Sequence, residues 1–183
     1  LQERIRRWAP MLQLSGVAEN ADTGNVAPRV NLLGVSAPFW DLFPDSEVPK
    51  LTGRKVAVNA SLARDLTLVR QSAILIYLER RGTSPAGTLF AQQKREKTVQ
   101  SIRLEVEAIL PDAGAGGFAL SGSIETPRNI FVSCDWLANV TEQEGRVNLL
   151  AVEAQTQDPA FDAALTGALN STCAIADLGL KLA

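Results

Sequence analysis

Ser121, in the run FALSGS at residues 118–123, is the nearest this chain comes to an activated nucleophile. A nucleophile elbow needs a glycine two residues before the serine, and Ala119 stands there instead. The hydroxyl would also need a base, and the chain has no histidine. That absence removes Ser–His and Cys–His pairs together with every histidine-dependent metal site. None of Lys50, Lys55, Lys94, Lys97 and Lys181 follows a serine at the Ser-x-x-Lys spacing. Glu105 and Glu107 fall on one exposed side of an expected strand, and Glu153 and Asp162 carry no spacing that pairs them for glycoside chemistry. The run DAGAGGFALSGS has neither the P-loop ending nor the dinucleotide fingerprint. Two lone cysteines, Cys134 and Cys173, do not make a zinc site. The sequence therefore points to no catalytic residue, no cofactor and no metal.

Composition narrows the classes further. The 183 residues are 46% hydrophobic and 21% charged with a net charge of −2, ordinary for a globular chain. No basic field marks a nucleic-acid partner. The longest apolar runs, such as Ala73–Leu78, are far below the ~20 residues that cross a bilayer. The chain opens at Leu1 with its one methionine at Met11, which is the expectation for a piece of a longer protein whose targeting segment lies upstream. Cys134 and Cys173 are a candidate disulfide, as suits an oxidising compartment.

The elements that would position these residues alternate irregularly. LQERIRRWA reads as a short amphipathic helix with Leu1, Ile5 and Trp8 on one face, stopped by Pro10. MLQLSGVAEN and PRVNLLGVSAP read as strands around an Asn/Asp/Gly turn. PFWDLF is a short aromatic helical turn with Phe39, Trp40 and Phe43 at core spacing, and PDSEVPKLTGR is a surface loop. KVAVN is a strand, and Asn59 caps a helix with Leu62, Ala63 and Leu66 on one face. AILIYLERR is apolar enough to be a strand buried on both sides. SPAGTLFAQQKREKT is the most polar tract, with the KREK run a solvated loop face. SIRLEVEAI alternates strictly, Ile102, Leu104 and Val106 against Arg103, Glu105 and Glu107. The glycine-rich stretch reads as a flexible loop. PRNIFVS is a strand, CDWLANV a short helix, and RVNLLAVEA a last strand. Asp158 then caps a helix that carries Pro159 at its first position and Phe161, Leu165 and Leu169 along one side. One domain or two small ones are expected, α/β (α+β), with a mixed sheet and helices packed on its faces.

Several of these segments resemble, in order, the periplasmic core domains of MacB-like, FtsX-like ABC transporter permeases. RVNLLGVSAPFWDLF is similar to the family's strand, Gly-Val pair and aromatic helix, and KVAVNASLARDLTL to its next strand and Leu-Ala helix. SIRLEVEAILPDAGAGGFALSGSIETPRNIFVSCDWLANV resembles the strand, loop and Pro-Arg-Asn-x-Phe-Val pattern that follows, with RVNLLAVEA and ADLGLKL after it. The likeness runs from about residue 11 to the end. Gln71 and Ser72 replace a common Gly-Asp pair, and Ser36 replaces an aspartate.

The resemblance implies one extracytoplasmic permease domain over residues 1–183, divisible into two subdomains with the variable part near 82–128. In such transporters a cytoplasmic ATPase drives a pair of permeases, each with four membrane helices and this domain between the first and second. The domain would be periplasmic, tethered to the cytoplasmic membrane and non-catalytic. It would couple ATP-driven motion to lipoprotein release or macrolide efflux. Its implied partners are the ATPase through the full-length permease, a second permease copy, and a periplasmic adaptor or lipid-like cargo, with no nucleic acid. Candidate contact residues are Phe39 and Trp40 of the aromatic turn and Gly114, Gly116 and Gly117, with the exposed loop positions that flank Gly114–Gly117. The alternatives are a stand-alone extracytoplasmic binding or sensor module and an enzyme of carboxylate type.

Overall fold

A computed structural model of the chain describes residues 4–79, 99–120, 126–156 and 158–172. They fall into two compact units, Ala9–Ala151 and a smaller one made of Leu1–Trp8 with Val152–Ala183. Of the variable tract expected near 82–128, residues 82–98 and 121–125 lie outside the described residues, and the KREK run with them.

Among the described residues, seven strands form one mixed sheet. In chain order they are β1 (Ile5–Asn20), β2 (Val26–Val35), β3 (Lys55–Asn59), β4 (Ala73–Glu79), β5 (Val99–Leu110), β6 (Asn129–Ser133) and β7 (Leu149–Ala154). Four helices accompany them: α1 (Ala37–Asp41), α2 (Ala60–Leu66), α3 (Cys134–Val140) and α4 (Pro159–Thr172). The spatial order is β2-β6-β3-β5-β4-β1-β7, and β1 also pairs with β2. The pairing thus closes on itself: Gly16 of β1 is opposite Val30 of β2 on one side and Leu78 of β4 on the other. Pairs β2–β6 and β3–β5 are parallel, whereas β1–β2, β1–β4, β4–β5 and β3–β6 are antiparallel.

Alternation along the strands divides the core of the larger unit. Val56 and Val58 of β3, Ile130 and Val132 of β6, and Ile102, Leu104 and Val106 of β5 join one cluster with Leu62 and Leu66 of α2 and Leu137 of α3. Ala57, Phe131, Leu33, Val35, Ala108 and Leu110 join a second with Phe39 and Trp40 of α1. Because side chains alternate at period two, the clusters occupy opposite faces of the strands. Val106 and Ala108 are two residues apart yet belong to different clusters. A bulge explains this: Val56 is opposite Val106 but Ala57 is opposite Ala108, so Glu107 is the extra residue that switches β5 from one face to the other. A second bulge lies where Gly16 pairs with Val30 but Ala18 with Ala27, and there Arg29 takes a left-handed φ of 55°.

Two expectations are corrected. Within the helix expected at 1–9, the described residues from Ile5 onward are instead the start of β1, with Ile5 and Arg7 inward and Arg6 and Trp8 outward. The spacing of Leu1, Ile5 and Trp8 suited either period, and sheet pairing overrides such a weak local preference. Strand β4 is not buried on both sides; Ile74, Ile76 and Leu78 are buried, while Leu75 and Tyr77 are only half-buried. In the smaller unit, Asp158 Oδ1 accepts from the Ala160 amide at 2.9 Å, so the expected cap of α4 is present. Arg4 pairs with Asp158 at 2.6 Å, Arg6 and Arg7 with Glu153 at 3.4 and 3.3 Å, and Phe161 is the buried end of the helix's apolar side.

Phe131 is fully buried between rings, so Phe131→Ala is expected to lower unfolding stability by about 3–5 kcal/mol. The exposed Val69→Ala serves as the comparison and should stay within about 0.5 kcal/mol of the parent in the same denaturant titration.

Candidate functional site

The described residues with the densest polar organisation meet where β3 runs into α2. Asn59 is fully buried at that junction. Its Oδ1 accepts from the amides of Leu62 (3.3 Å) and Asn129 (3.0 Å), so one oxygen caps α2 and also holds the start of β6. Its Nδ2 donates to Asp112 Oδ1 (3.0 Å) and to the Pro127 carbonyl (2.7 Å). Asp112 in turn accepts from the Ser61 amide and hydroxyl, both at 2.8 Å, and from Arg64 at 3.1 Å. Asn129, also fully buried, donates to the carbonyls of Gly116 (3.1 Å) and Phe118 (2.7 Å) and accepts from Asn31 Nδ2 (3.0 Å).

These bonds seat the glycine-rich segment. Residues Gly114–Gly117 form a single 3-10 turn. Ser46 accepts from the Ala115 amide at 3.1 Å, and Ala115 is fully buried. A Cβ on Gly116 would stand 2.0 Å from the Pro111 carbonyl oxygen, and one on Gly117 2.2 Å from that of Asp112. The glycines are present because the backbone folds tightly on itself, and the expectation of a flexible loop is corrected.

Phe118, at the end of this turn, meets Phe39 edge-on with centroids 5.5 Å apart. Phe39 also touches Trp40, Phe43 and Phe131 at 5.1, 5.2 and 5.7 Å. The structure therefore brings the two candidate contact features together, but inward. Phe39 and Trp40 are buried, as their core spacing predicts; Gly116 is buried and Gly117 half-buried, and of the five candidate contact residues Gly114 is exposed. The physical reason is long-range: Asn129 and Ser46 anchor the turn from outside it. Around it the exposed positions are Pro111, Ala113, Ala119 and Leu120.

Ionisable groups meet mostly in exposed or half-exposed pairs, with Glu153 shared by Arg6 and Arg7. Lys55 Nζ lies 2.6 Å from Glu107 Oε2; the hydrogen bond holds the Glu107 carboxyl below its usual range and raises the Lys55 ammonium above its own. Tyr77 donates to Glu19 at 2.8 Å, which pushes the phenol up. Burial, then the Asp135 charge, push the Cys134 thiol up. Cys134 is a free thiol, and its candidate partner Cys173 lies outside the described residues, as does Ser121. Among the described residues no three His, Cys, Asp or Glu side chains gather as a metal site, and no helix is long and apolar enough to cross a membrane.

Neither a protein-family model nor a curated protein sequence matches the chain. Solved structures do. The periplasmic region of MacB from Actinobacillus actinomycetemcomitans superposes with a TM-score of 0.53 at 12% identity, over 93% of this chain and 68% of that one. The extracellular domain of the noncanonic ABC-type transporter YknZ from Gram-positive bacteria gives 0.52 at 10% identity, over 93% and 79%. The chain has the fold of these domains. Its mixed sheet with attached helices is the architecture expected from the sequence.

Asn59→Ala strands the Asn129 amide and the Pro127 carbonyl and uncaps α2. It is expected to cost about 2–4 kcal/mol in thermal or denaturant unfolding. Gly116→Ala, which must displace the Pro111 backbone, is expected to cost more than ~1 kcal/mol and to speed amide exchange across residues 112–118. The Glu107 carboxyl, followed by NMR, should titrate below the usual glutamate range and move back up in Lys55→Gln. Its contribution to stability is present above the unfolded-state pKa and lost as pH falls through the lowered one; that of Lys55 is lost at the alkaline end, as pH rises through the raised one.

Proposed function

We propose that this chain is the extracytoplasmic domain of an ABC transporter permease, a non-catalytic part that transmits ATP-driven motion to a cargo or partner outside the cytoplasm. The observation that carries the reading is the likeness over 93% of the chain to two transporter domains, one described as periplasmic and one as extracellular. The absence of histidine from the whole sequence and the exposed or half-exposed setting of the described ion pairs support a mechanical role. So does the interlocked amide network, since a domain that transmits motion must move as a unit. On this reading the partners are a cytoplasmic ATPase, reached through the membrane part of the permease, and a second permease copy. Lipoprotein release and macrolide efflux are the two cargo classes in view, with a periplasmic adaptor or lipid-like cargo at the outer contacts.

The test is the parent polypeptide. Its sequence should hold one apolar span of ~20 residues before this domain and three after it, and the full-length protein should co-purify with an ATPase from detergent extracts. A cleavable leader before the domain, with no apolar span after it and no ATPase retained, would overturn the reading and leave a secreted binding module.

A further inference from the structure

Four cations lie on or beside the segments that frame the Lys55–Glu107 pair. Lys50 lies in the loop before β3, Arg54 directly precedes β3, Arg70 sits between α2 and β4, and Arg103 lies on β5; all are exposed. The sheet gathers them. Lys55 is opposite Glu105, whose amide donates to the Arg54 carbonyl at 2.9 Å, and Arg103 is opposite Leu75. The Gln71 amide, next to Arg70, donates to the Val106 carbonyl at 2.7 Å. Lys50 and Arg70 both act on the Glu107 carboxylate. No ion pair joins any of the four to a described residue. Five cations against Glu105, Glu107 and Glu19, which lies opposite Leu75 in the row that Arg103 completes, leave a net positive patch on a chain whose overall charge is −2.

The acids of the neighbouring loop, Asp45 and Glu47, flank Ser46, whose hydroxyl is bound to Ala115 at the glycine turn. Val48 and Val69, 60% and 66% exposed, stand beside Lys50 and Arg70 in the sequence. Basic side chains on turns with small apolar neighbours suit a planar anionic surface, where guanidinium forks meet phosphate and short aliphatic groups enter the headgroup layer.

We propose that this patch, Lys50, Arg54, Arg70 and Arg103 around β3 and β5, binds the phosphate groups of an anionic lipid surface. The proposal does not depend on the transporter reading, and its failure would leave that reading standing.

The experiment is sedimentation of the 183-residue chain with vesicles of phosphatidylglycerol and phosphatidylcholine, against phosphatidylcholine alone. The expected result is binding to the anionic vesicles only, reversed by salt. Each charge removed should weaken it about fivefold, the factor that corresponds to ~1 kcal/mol. The variant Lys50→Gln/Arg54→Gln/Arg70→Gln/Arg103→Gln, checked for an unchanged melting temperature, should lose most of the binding. A second variant, Arg54→Lys/Arg70→Lys/Arg103→Lys, should retain much of it. Undiminished binding by the glutamine variant would overturn the proposal, as would no preference for anionic vesicles. Competition by inorganic phosphate at concentrations that leave ionic strength unchanged would assign the patch to a free anion and overturn the lipid source. Retention on polyglutamate with no vesicle binding would assign it to an acidic protein and overturn it equally.

Discussion

A single buried carboxamide, that of Asn59, ties together three backbone groups and one carboxylate from separate stretches of the chain. Its oxygen caps α2 and takes the first amide of β6; its nitrogen reaches Asp112 and the Pro127 carbonyl. A carboxamide taken from water into a core is stable there only if its donors and acceptor are used, because an unpaired buried polar group costs about 1–3 kcal/mol. Here both donors and the acceptor are used, and Asn129 repeats the device one strand away. The segment 111–118 has little side-chain bulk to bury, so these bonds and the Phe118–Phe39 contact hold it.

The two bulges do a different job. A strand with perfect alternation can feed only one cluster on each face along its whole length. Glu107, as an extra residue in β5, lets the same strand supply Ile102, Leu104 and Val106 to the α2/α3 side and Ala108 and Leu110 to the aromatic side. It also leaves the Glu107 carboxylate outside, where Lys55 neutralises it. One irregularity therefore sets both the division of the core and the centre of the basic patch.

The mechanical role proposed above suits this arrangement. The buried carboxamides of Asn20, Asn59 and Asn129 are hydrogen-bonded, chiefly to backbone, whereas Gln13 Oε1 is buried without a partner; the ion pairs are exposed or half-exposed. A general base needs a perturbed group facing open space near a reacting atom. A force-transmitting domain needs loops that do not yield, which the seated glycine turn provides.

Local signals in the sequence determined much of the fold. The alternation of 101–107, the Asn59 cap, the aromatic turn at 37–41 and the Asp158–Pro159 start of α4 are read from spacing alone, because caps and periodicity act over a few residues. Absence was legible too, since a chain without histidine cannot assemble a histidine site in any fold. Tertiary structure decided the rest. Residues 5–9 became strand because sheet pairing outweighed an ambiguous spacing, and Gly114–Gly117 became a fixed turn because Asn129 and Ser46 arrive from other elements. Phe39 and Trp40 turned inward because Phe118 and Phe131 meet them there. The basic patch was invisible in an acidic chain for the same reason: Lys50, Arg54, Arg70 and Arg103 become neighbours only when β3, β4 and β5 pair.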